Sequence, residues 1–308
     1  MKILIELPTW LGDTIMATPA IENLVSLFNN LEITLIGSDI AIEALKNHPR
    51  VFKTYVLEKN YLIFFKTLRG LIEYDIFLSF RGSFRTKFMK FCISSKSSYQ
   101  YDKKKYPNGH QVEKYNNFIS DVMKNALAPG KLKLHTKIVK SHSKNKILGI
   151  NPGASYGSSK RWYPEEFAKV AIGLSSDYDI VIFGSSIEKN IATDIENYLI
   201  KKGVSNYQNL SAQTSIHDLI AHISNLDLFI TGDSGPMHIA AAYQIPTVSI
   251  FGSTNDKETS QWMNEDSIIV KKNLNCQPCM KRVCPLKHHN CMKLITALDV
   301  LKAAKQFD

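Results

Sequence analysis

The chain opens with a short apolar run, KILIEL at residues 2–7, that has the length and composition of a buried β-strand. A helical segment follows, in which Pro19 either kinks the helix or restarts it with Thr18 as its N-cap. The pattern then recurs: LEITLIG at 31–37 predicts a strand, DIAIEALKNH a helix and YDIFLSF at 74–80 a further strand. This alternation indicates a parallel sheet with helical crossover connections.

The same alternation restarts after a polar, basic stretch without periodicity, IVKSHSKNK, which predicts a linker. KILGINPG at 146–153 repeats the opening strand and its loop. Pro164 and Ser215 mark the starts of two predicted helices, and further strands are expected at 178–185, 226–232 and 245–253.

These two series predict an α/β protein with two Rossmann-like domains that face each other across a cleft. We expect the domains at residues 1–140 and 147–308, joined by a linker at 141–146, with ligands at the carboxyl ends of the strands. The last helical segment, ALDVLKAAKQF, is a candidate to pack back on the first domain.

Charge adds a feature that the apolar pattern does not show. The net charge of the 308 residues is +10, and residues 81–146 contain 16 Lys and Arg against 3 Asp and Glu. The segments on either side have net charges of −2 and −1, so the whole excess lies in this basic segment. It is either a solvated, lysine-rich surface or the binding region for an anionic partner.

No apolar run reaches the roughly 18–20 residues of a membrane-spanning helix, and the N-terminus lacks the features of a signal peptide. We therefore expect a cytoplasmic protein, with any membrane contact peripheral and partly electrostatic. In that compartment cysteines are reduced, buried or bound to metal. Four of them, Cys276, Cys279, Cys284 and Cys291, form a cluster with two histidines that is a candidate zinc site, or a reduced cysteine patch, at irregular spacing.

Three loops at predicted strand ends carry candidate chemistry. PTWLGD contains Asp13, whose carboxylate either caps the following helix or acts as an acid–base group. NPGASYGSSKRW offers small residues, hydroxyls and Lys160 before a helix, which suits a diphosphate. TGDSGPMH repeats the strand, Gly-Asp, helix order of the first loop, and Asp233 or Ser234 is either a ligand contact or an N-cap of the following helix.

Taken together, four motifs resemble, in order and at fitting distances, those of the ADP-heptose:lipopolysaccharide heptosyltransferases, which are family 9 glycosyltransferases with a GT-B fold. The motifs are LPTWLGDTIMATPAIENL, NPGASYGSSKRWYPEEFAKVA, TGDSGPMHIAAA and VSIFGST, and the resemblance covers most of the chain. The cysteine stretch that includes CPLKHHNCM looks most like the heptosyltransferase II branch.

The resemblance implies roles for individual residues. Asp13 falls on the general base that deprotonates the acceptor hydroxyl, Lys160 on the lysine that contacts the diphosphate, and Asp233 on the acid that contacts the donor sugar. The donor-binding set implied around them also includes Ser155, Tyr156, Ser234, Gly235 and, by a looser alignment, Glu188.

The acceptor of such an enzyme is an anionic, Kdo- and phosphate-bearing lipid A core at the cytoplasmic face of the inner membrane, which would explain the basic segment. The resemblance carries over no acceptor residues one by one. From charge alone the candidates are Arg81, Arg85, Lys103, Lys104, Lys105 and His110.

The expected reaction is an inverting transfer of heptose from ADP-L-glycero-D-manno-heptose to the inner core of lipopolysaccharide. The enzyme would add the second heptose of the core to heptosyl-Kdo-lipid A. Positive charge from Lys160 stabilises the departing diphosphate, so we expect no required cofactor and no catalytic metal. Alternatives are transfer of the first heptose to Kdo-lipid A, a nucleotide-sugar epimerase or a nucleic-acid-binding protein. The basic segment carries no nucleic-acid-binding fingerprint, so we expect no nucleic-acid partner.

Overall fold

The computed structural model describes residues 1–57, 67, 70–71, 73–136 and 145–307. The chain divides into two compact units, Met1–Thr136 and Lys137–Asp308. Residues 141–144 of the predicted linker lie outside the described residues. Each unit is an α/β structure built on a parallel sheet, as the alternating pattern predicts.

The sheet of the first unit has the strand order β3-β2-β1-β4-β5, with every neighbouring pair parallel. Its central strand, β1, is the opening apolar run, and Ile3, Leu4 and Ile5 are fully buried because helices cover both faces. The strands are β1 (Lys2–Glu6), β2 (Glu32–Gly37), β3 (Val51–Val56), β4 (Tyr74–Ser79) and β5 (Ser95–Gln100).

The helix after β1 is interrupted near Pro19, as predicted, but the predicted cap is wrong. The second helix is capped by Ala17, and the Thr18 hydroxyl instead donates to the carbonyl oxygen of Ile15 at 2.7 Å. The described helices of this unit are α1 (Leu11–Met16), α2 (Thr18–Ser26), α3 (Asp39–Leu45), α4 (Phe84–Cys92) and α5 (Gln111–Met123).

The sheet of the second unit has the order β11-β10-β9-β6-β7-β8, again with parallel neighbours. The order reverses direction at β6 and β9, and in α/β sheets ligands bind beyond the carboxyl ends of the strands at such a point. The strands are β6 (Lys146–Asn151), β7 (Tyr178–Ile182), β8 (Tyr207–Asn209), β9 (Leu228–Gly232), β10 (Thr247–Ile250) and β11 (Ser267–Val270).

Helices of the second unit begin where the sequence indicates. Pro164 is the first residue of α6, and the Ser215 side chain caps α8 by accepting a hydrogen bond from the backbone N–H of Asp218. The described α-helices are α6 (Pro164–Leu174), α7 (Lys189–Lys201), α8 (Ile216–Ile223), α9 (Gly235–Ala242), α10 (Asp256–Thr259), α11 (Asn290–Lys293) and α12 (Ala297–Ala304), and the 3₁₀ turns are Ser158–Lys160, Ser186–Glu188 and Lys305–Phe307.

The C-terminal helix α12 contributes Val300, Ala303 and Ala304 to the core of the second unit, where it packs against α6 and β10. Whether it also contacts the first unit remains a prediction. Across the described ranges, none of the helices has both the length and the apolar character needed to cross a bilayer.

Candidate functional site

The candidate donor site lies in the second unit, at the carboxyl ends of β6 and β9. These strands are neighbours, and Asn151 at the end of β6 is paired in register with Thr231 on β9. The Asn151 side-chain amide donates to the hydroxyl of Thr231 at 3.3 Å and to that of Ser234 at 3.1 Å. A buried asparagine therefore ties together the two loops that carry the predicted donor residues.

Lys160 and Asp233, which lie on those two loops, form an ion pair. The Lys160 Nζ is 2.6 Å from the Asp233 Oδ2, and the two side chains are 13 % and 5 % exposed. The hydroxyl of Thr254, in the loop after β10, donates to the same carboxylate oxygen at 2.6 Å. Three loops of the sheet thus meet at one carboxylate, and the ammonium of Lys160 is held in a fixed position beside it.

Tyr156 forms one side of this charged centre. Its ring lies 4.9 Å from the Lys160 Nζ and 5.5 Å from the guanidinium carbon of Arg282, measured to the ring centroid. Its hydroxyl donates to the carbonyl oxygen of Met280 at 2.9 Å. Both cations are within the range of a cation–π interaction, so the ring orients two positive charges together.

Residues 276–291, here called the cysteine-rich loop, support the loop that carries Lys160. The backbone N–H of Ser159 donates to the carbonyl of Arg282 at 3.1 Å, and the Ser159 hydroxyl donates to the carbonyl of Lys281. His289 Nε2 in turn donates to the Ser159 carbonyl at 3.1 Å. A Cβ on Gly157 would lie 2.3 Å from the Arg282 carbonyl oxygen, so this close approach of two backbones requires glycine.

The N-terminus of α9 adds a further positive feature next to Asp233. Ser234 is its N-cap, but its side chain makes no capping hydrogen bond, because its hydroxyl interacts instead with Asn151 and Thr231. The first N–H groups of a helix and its dipole favour an anion. Gly235, the first residue of the helix, has no side chain to hinder a ligand there.

Glu188 has a local structural role, and the Ser-x-x-Glu spacing of Ser185 and Glu188 is the sequence signature of such a cap. Its carboxylate accepts hydrogen bonds from the backbone N–H and the hydroxyl of Ser185, both at 2.9 Å, and so caps the 3₁₀ turn after β7. The side chain is buried against Gly153, where an added Cβ would lie 2.2 Å from Glu188 Oε1. Glu188 therefore packs against residues 151–162, here called the donor loop, and a ribose contact remains a prediction. Ser155 is exposed on that loop.

The four cysteines of the candidate zinc site line one small cavity together with His288 and His289. Burial and the neighbouring cysteines raise the pKa of the Cys291 thiol to about 11. Among the described residues, however, the group of ligand atoms that lie within 4.8 Å of one another is not here but in the first unit. Zinc at these cysteines remains an untested prediction.

That group consists of Glu22, His48 and His135. The Glu22 Oε1 is 3.2 Å from His48 Nε2 and 2.8 Å from His135 Nε2. His48 Nδ1 accepts a hydrogen bond from the backbone N–H of Arg50 at 3.1 Å, so the neutral ring carries its proton on Nε2. A metal on Nε2 would require the opposite tautomer. We therefore interpret the group as a hydrogen-bonded ion cluster.

Asp13 lies in the first turn of α1 in the first unit, where a carboxylate is favoured by the helix dipole. Burial raises the pKa of Tyr115 on α5 well above its usual value, and the charge of Asp13 contributes to that rise. The Asp13 carboxylate is thus electrically coupled to a phenol on another helix. Its position is compatible with both capping and acid–base chemistry, so the two readings stay open.

The acceptor candidates occupy different environments. Arg81 Nη1 lies 3.5 Å from the buried carboxylate of Glu6, whereas Lys105 forms a 2.7 Å pair with Asp121 on the surface. His110 is buried and caps α5, since its ring accepts a hydrogen bond from the backbone N–H of Val112. Lys103 and Lys104 are exposed, and Arg85 lies on α4. Their acceptor roles remain predictions.

Comparison with known proteins identifies the class. The sequence profile described as glycosyltransferase family 9 (heptosyltransferase) matches residues 62–290. Lipooligosaccharide heptosyltransferase 2 of Campylobacter jejuni subsp. jejuni serotype O:2 is 40 % identical over 316 aligned residues, which cover 99 % of this chain and 98 % of the relative. The protein of the same name from serotype O:6 is 38 % identical, with 99 % of each chain covered.

The chain is therefore a glycosyltransferase, and it belongs to glycosyltransferase family 9. In structure it is similar to the E. coli ADP-heptose lps heptosyltransferase II, with a TM-score of 0.81 and 21 % identity over 100 % of this chain and 98 % of the other. This similarity confirms the predicted GT-B fold class with Rossmann-like domains.

Sequence reasoning missed several residues of the donor site. Thr254, Asn151 and Arg282 were not predicted as members. Thr254 and Arg282 are each two contacts from Lys160, and Asn151 bonds Ser234, which follows Asp233 in the chain. A signal for Thr254 was present, since it ends the VSIFGST motif at the end of β10. Arg282 had no such signal, because its partner Tyr156 is more than a hundred residues away.

Proposed function

We propose that the chain transfers a heptose from an ADP-heptose donor to the inner core of lipopolysaccharide, as the second heptose added to heptosyl-Kdo-lipid A. Similarity over the whole chain to two relatives named heptosyltransferase 2 supports this branch. The observation that carries the donor assignment is the Lys160–Asp233 pair at the ends of β6 and β9.

At the donor end, Lys160 is proposed to bind the diphosphate of the ADP-sugar. An ammonium has three N–H donors, of which the carboxylate of Asp233 takes one and its carbonyl a second, at 3.4 Å, so one donor remains for a phosphate oxygen. As the glycosidic bond breaks, negative charge grows on the ADP leaving group. Lys160 and the N-terminus of α9 supply fixed positive charge at that position, which is the most effective form of electrostatic stabilisation.

Asp233 acts in this scheme on two groups. It holds Lys160 and Thr254 through the same oxygen, Oδ2, and its second oxygen is assigned to a hydroxyl of the donor sugar. Ser155, Tyr156, Ser234 and Gly235 complete the proposed donor site. Because Lys160 and the N-terminus of α9 offset part of the charge of the diphosphate, we propose that the reaction requires no cofactor, and a chelator is expected to leave turnover unchanged.

At the acceptor end, Asp13 is the proposed general base. It takes the proton of the acceptor hydroxyl while the oxygen attacks the anomeric carbon from the face opposite ADP, which inverts the configuration there. The basic segment at 81–146 is assigned to the anionic core sugars and phosphates. The acceptor is a lipid, so we place the enzyme at the cytoplasmic face of the inner membrane, peripherally bound.

The test is a transfer assay with ADP-heptose and two defined acceptors, Kdo-lipid A and heptosyl-Kdo-lipid A. Transfer to the second acceptor alone is expected. Transfer to Kdo-lipid A alone would instead show a heptosyltransferase I-type enzyme. A changed sugar nucleotide after incubation without acceptor would indicate an epimerase and would refute the proposal.

A further inference from the structure

Helix α4 has an inner face that packs in the usual way. Thr86 and Met89 are buried, and Met89 joins the core cluster of the first unit together with Ile93 and Phe77. This contact fixes the helix on the sheet, between β4 and β5 in the chain. The most exposed side chains of this helix lie on its opposite face.

That outer face is apolar. Phe84 is 85 % exposed and Phe91 is 90 % exposed, and Phe88, between them, is 38 % exposed. Spacings of four and three residues place the three rings in one stripe, about 10 Å long at 1.5 Å per residue. Single exposed apolar residues are ordinary, but a contiguous aromatic stripe on a soluble protein marks an interaction surface.

The surroundings of the stripe are cationic. Residues 81–101 contain five Lys and Arg and no Asp or Glu. Lys87 is exposed within the stripe and Lys90 lies beside it on the same helix. Long lysine side chains extend their ammonium groups to a polar layer while their methylene groups stay near apolar surface. A partner of this face must therefore have an apolar region that accepts the aromatic rings and negative charge that pairs with the lysines.

We propose that α4 docks the enzyme on an anionic phospholipid surface, with Phe84, Phe88 and Phe91 inserted below the headgroups and Lys87 and Lys90 at the phosphate level. A short helix of this composition lies in the plane of a membrane interface. An anionic leaflet has both an apolar interior and negatively charged headgroups, and it extends over a wide area. A helix that protrudes from the protein surface can bind there without a complementary groove, which a protein partner would have to provide. This inference deepens the proposed function and rests on its lipid-linked acceptor.

The test is co-sedimentation of the full chain with vesicles of phosphatidylethanolamine and phosphatidylglycerol, without donor or acceptor. The wild type is expected to bind these vesicles and to bind phosphatidylcholine vesicles weakly. In Phe84→Ser/Phe91→Ser the partition coefficient falls by about 100-fold or more, because each of the two buried aromatic rings contributes about tenfold or more. Phe52→Ser, which removes a 72 % exposed phenylalanine from β3, is the matched control and leaves binding unchanged.

Charge is tested separately by Lys87→Gln/Lys90→Gln, which should remove most of the preference for anionic over neutral vesicles. Lys53→Gln on β3 is the control for this pair. Wild-type protein that stays off anionic vesicles would overturn the proposal. So would equal loss of binding in the Phe52 variant, or dimers of the wild type that disappear in the double phenylalanine variant.

Transfer to an acceptor without acyl chains separates this inference from the proposed function. The double phenylalanine variant should keep wild-type turnover on that acceptor and lose turnover on vesicle-bound acceptor. No transfer by the wild type to either acceptor, with normal vesicle binding, would refute the proposed function and leave the docking surface standing.

Discussion

The ion cluster of Glu22, His48 and His135 makes a pH-dependent contribution to stability that can be measured. Burial of the Glu22 carboxyl opposes its ionisation, but hydrogen bonds from His48, His135 and Lys133 outweigh burial and hold its pKa at about 2, against an ordinary value of 4.5. The Lys133 Nζ lies 3.0 Å from Glu22 Oε2. Glu22→Gln removes the charge while keeping the shape of the side chain.

The magnitude follows from the difference between the folded and unfolded pKa values. At 1.36 kcal/mol per pKa unit, the two values correspond to about 3 kcal/mol above pH 5. The Glu22 side chain is 25 % exposed, so water screens part of this, and we expect Glu22→Gln to lower the free energy of unfolding by about 1–3 kcal/mol at pH 7. A lowered carboxyl pKa stabilises the fold above the unfolded pKa, so the contribution is lost as the pH falls towards 2.

Urea denaturation followed by circular dichroism, at several pH values from 7 to 3.5, measures this contribution. The difference between wild type and Glu22→Gln should be constant down to about pH 5 and shrink to about three fifths by pH 3.5. Glu43→Gln, which breaks a surface pair with Lys46, is the control and should change stability by about 0.5 kcal/mol or less. Equal stability of wild type and Glu22→Gln at pH 7, or a difference that does not shrink in acid, would refute the reasoning.

Three further predictions concern the reaction. Asp13→Asn should lower turnover by about 10²–10⁴-fold and leave ADP affinity within about twofold, as seen in steady-state kinetics and calorimetry; normal turnover would leave Asp13 as a helix cap only. Lys160→Met should weaken ADP binding by about tenfold or more, because a charge-assisted contact to the diphosphate is lost, and unchanged affinity would contradict that role. Gly157→Ala should weaken ADP binding by pushing the donor loop off the cysteine-rich loop, whereas Gly130→Ala, with no atom within 4 Å of the added Cβ, should not.

The sequence predicts those strands that are buried on both faces and misses those that are not. The apolar runs at β1 and β9 stand out because helices cover both sides of the sheet there, and almost every residue of both strands is buried. Strand β5 has the sequence SKSSYQ and no fully buried residue, because it lies at the edge of its sheet. Its backbone pairs with β4 in parallel, but its side chains show no apolar pattern from which this pairing could be predicted.

The candidate site divides in a similar way. A loop that follows an apolar strand and precedes a helix can be located from the sequence, and the loops that carry Lys160 and Asp233 do follow β6 and β9. Their contact depends on the path of two loops 73 residues apart, which no periodicity encodes. The ion cluster around Glu22 was likewise hidden, since His48 and His135 are distant from it in the sequence, whereas the Glu188 cap has the Ser-x-x-Glu signature of a capping box.

The cysteine-rich loop makes contacts that the chemistry of its side chains does not predict. Its cysteines and histidines suggest a metal, but its contacts with the donor loop are made largely by backbone carbonyls, which receive hydrogen bonds from Tyr156 and Ser159. Every residue has a backbone carbonyl, so these contacts cannot be predicted from the residue types of the loop. What they require is the path of the loop and a glycine at position 157 opposite it. Ser159 also lines the cavity that the four cysteines line, so this cavity and the loop that carries Lys160 share a residue.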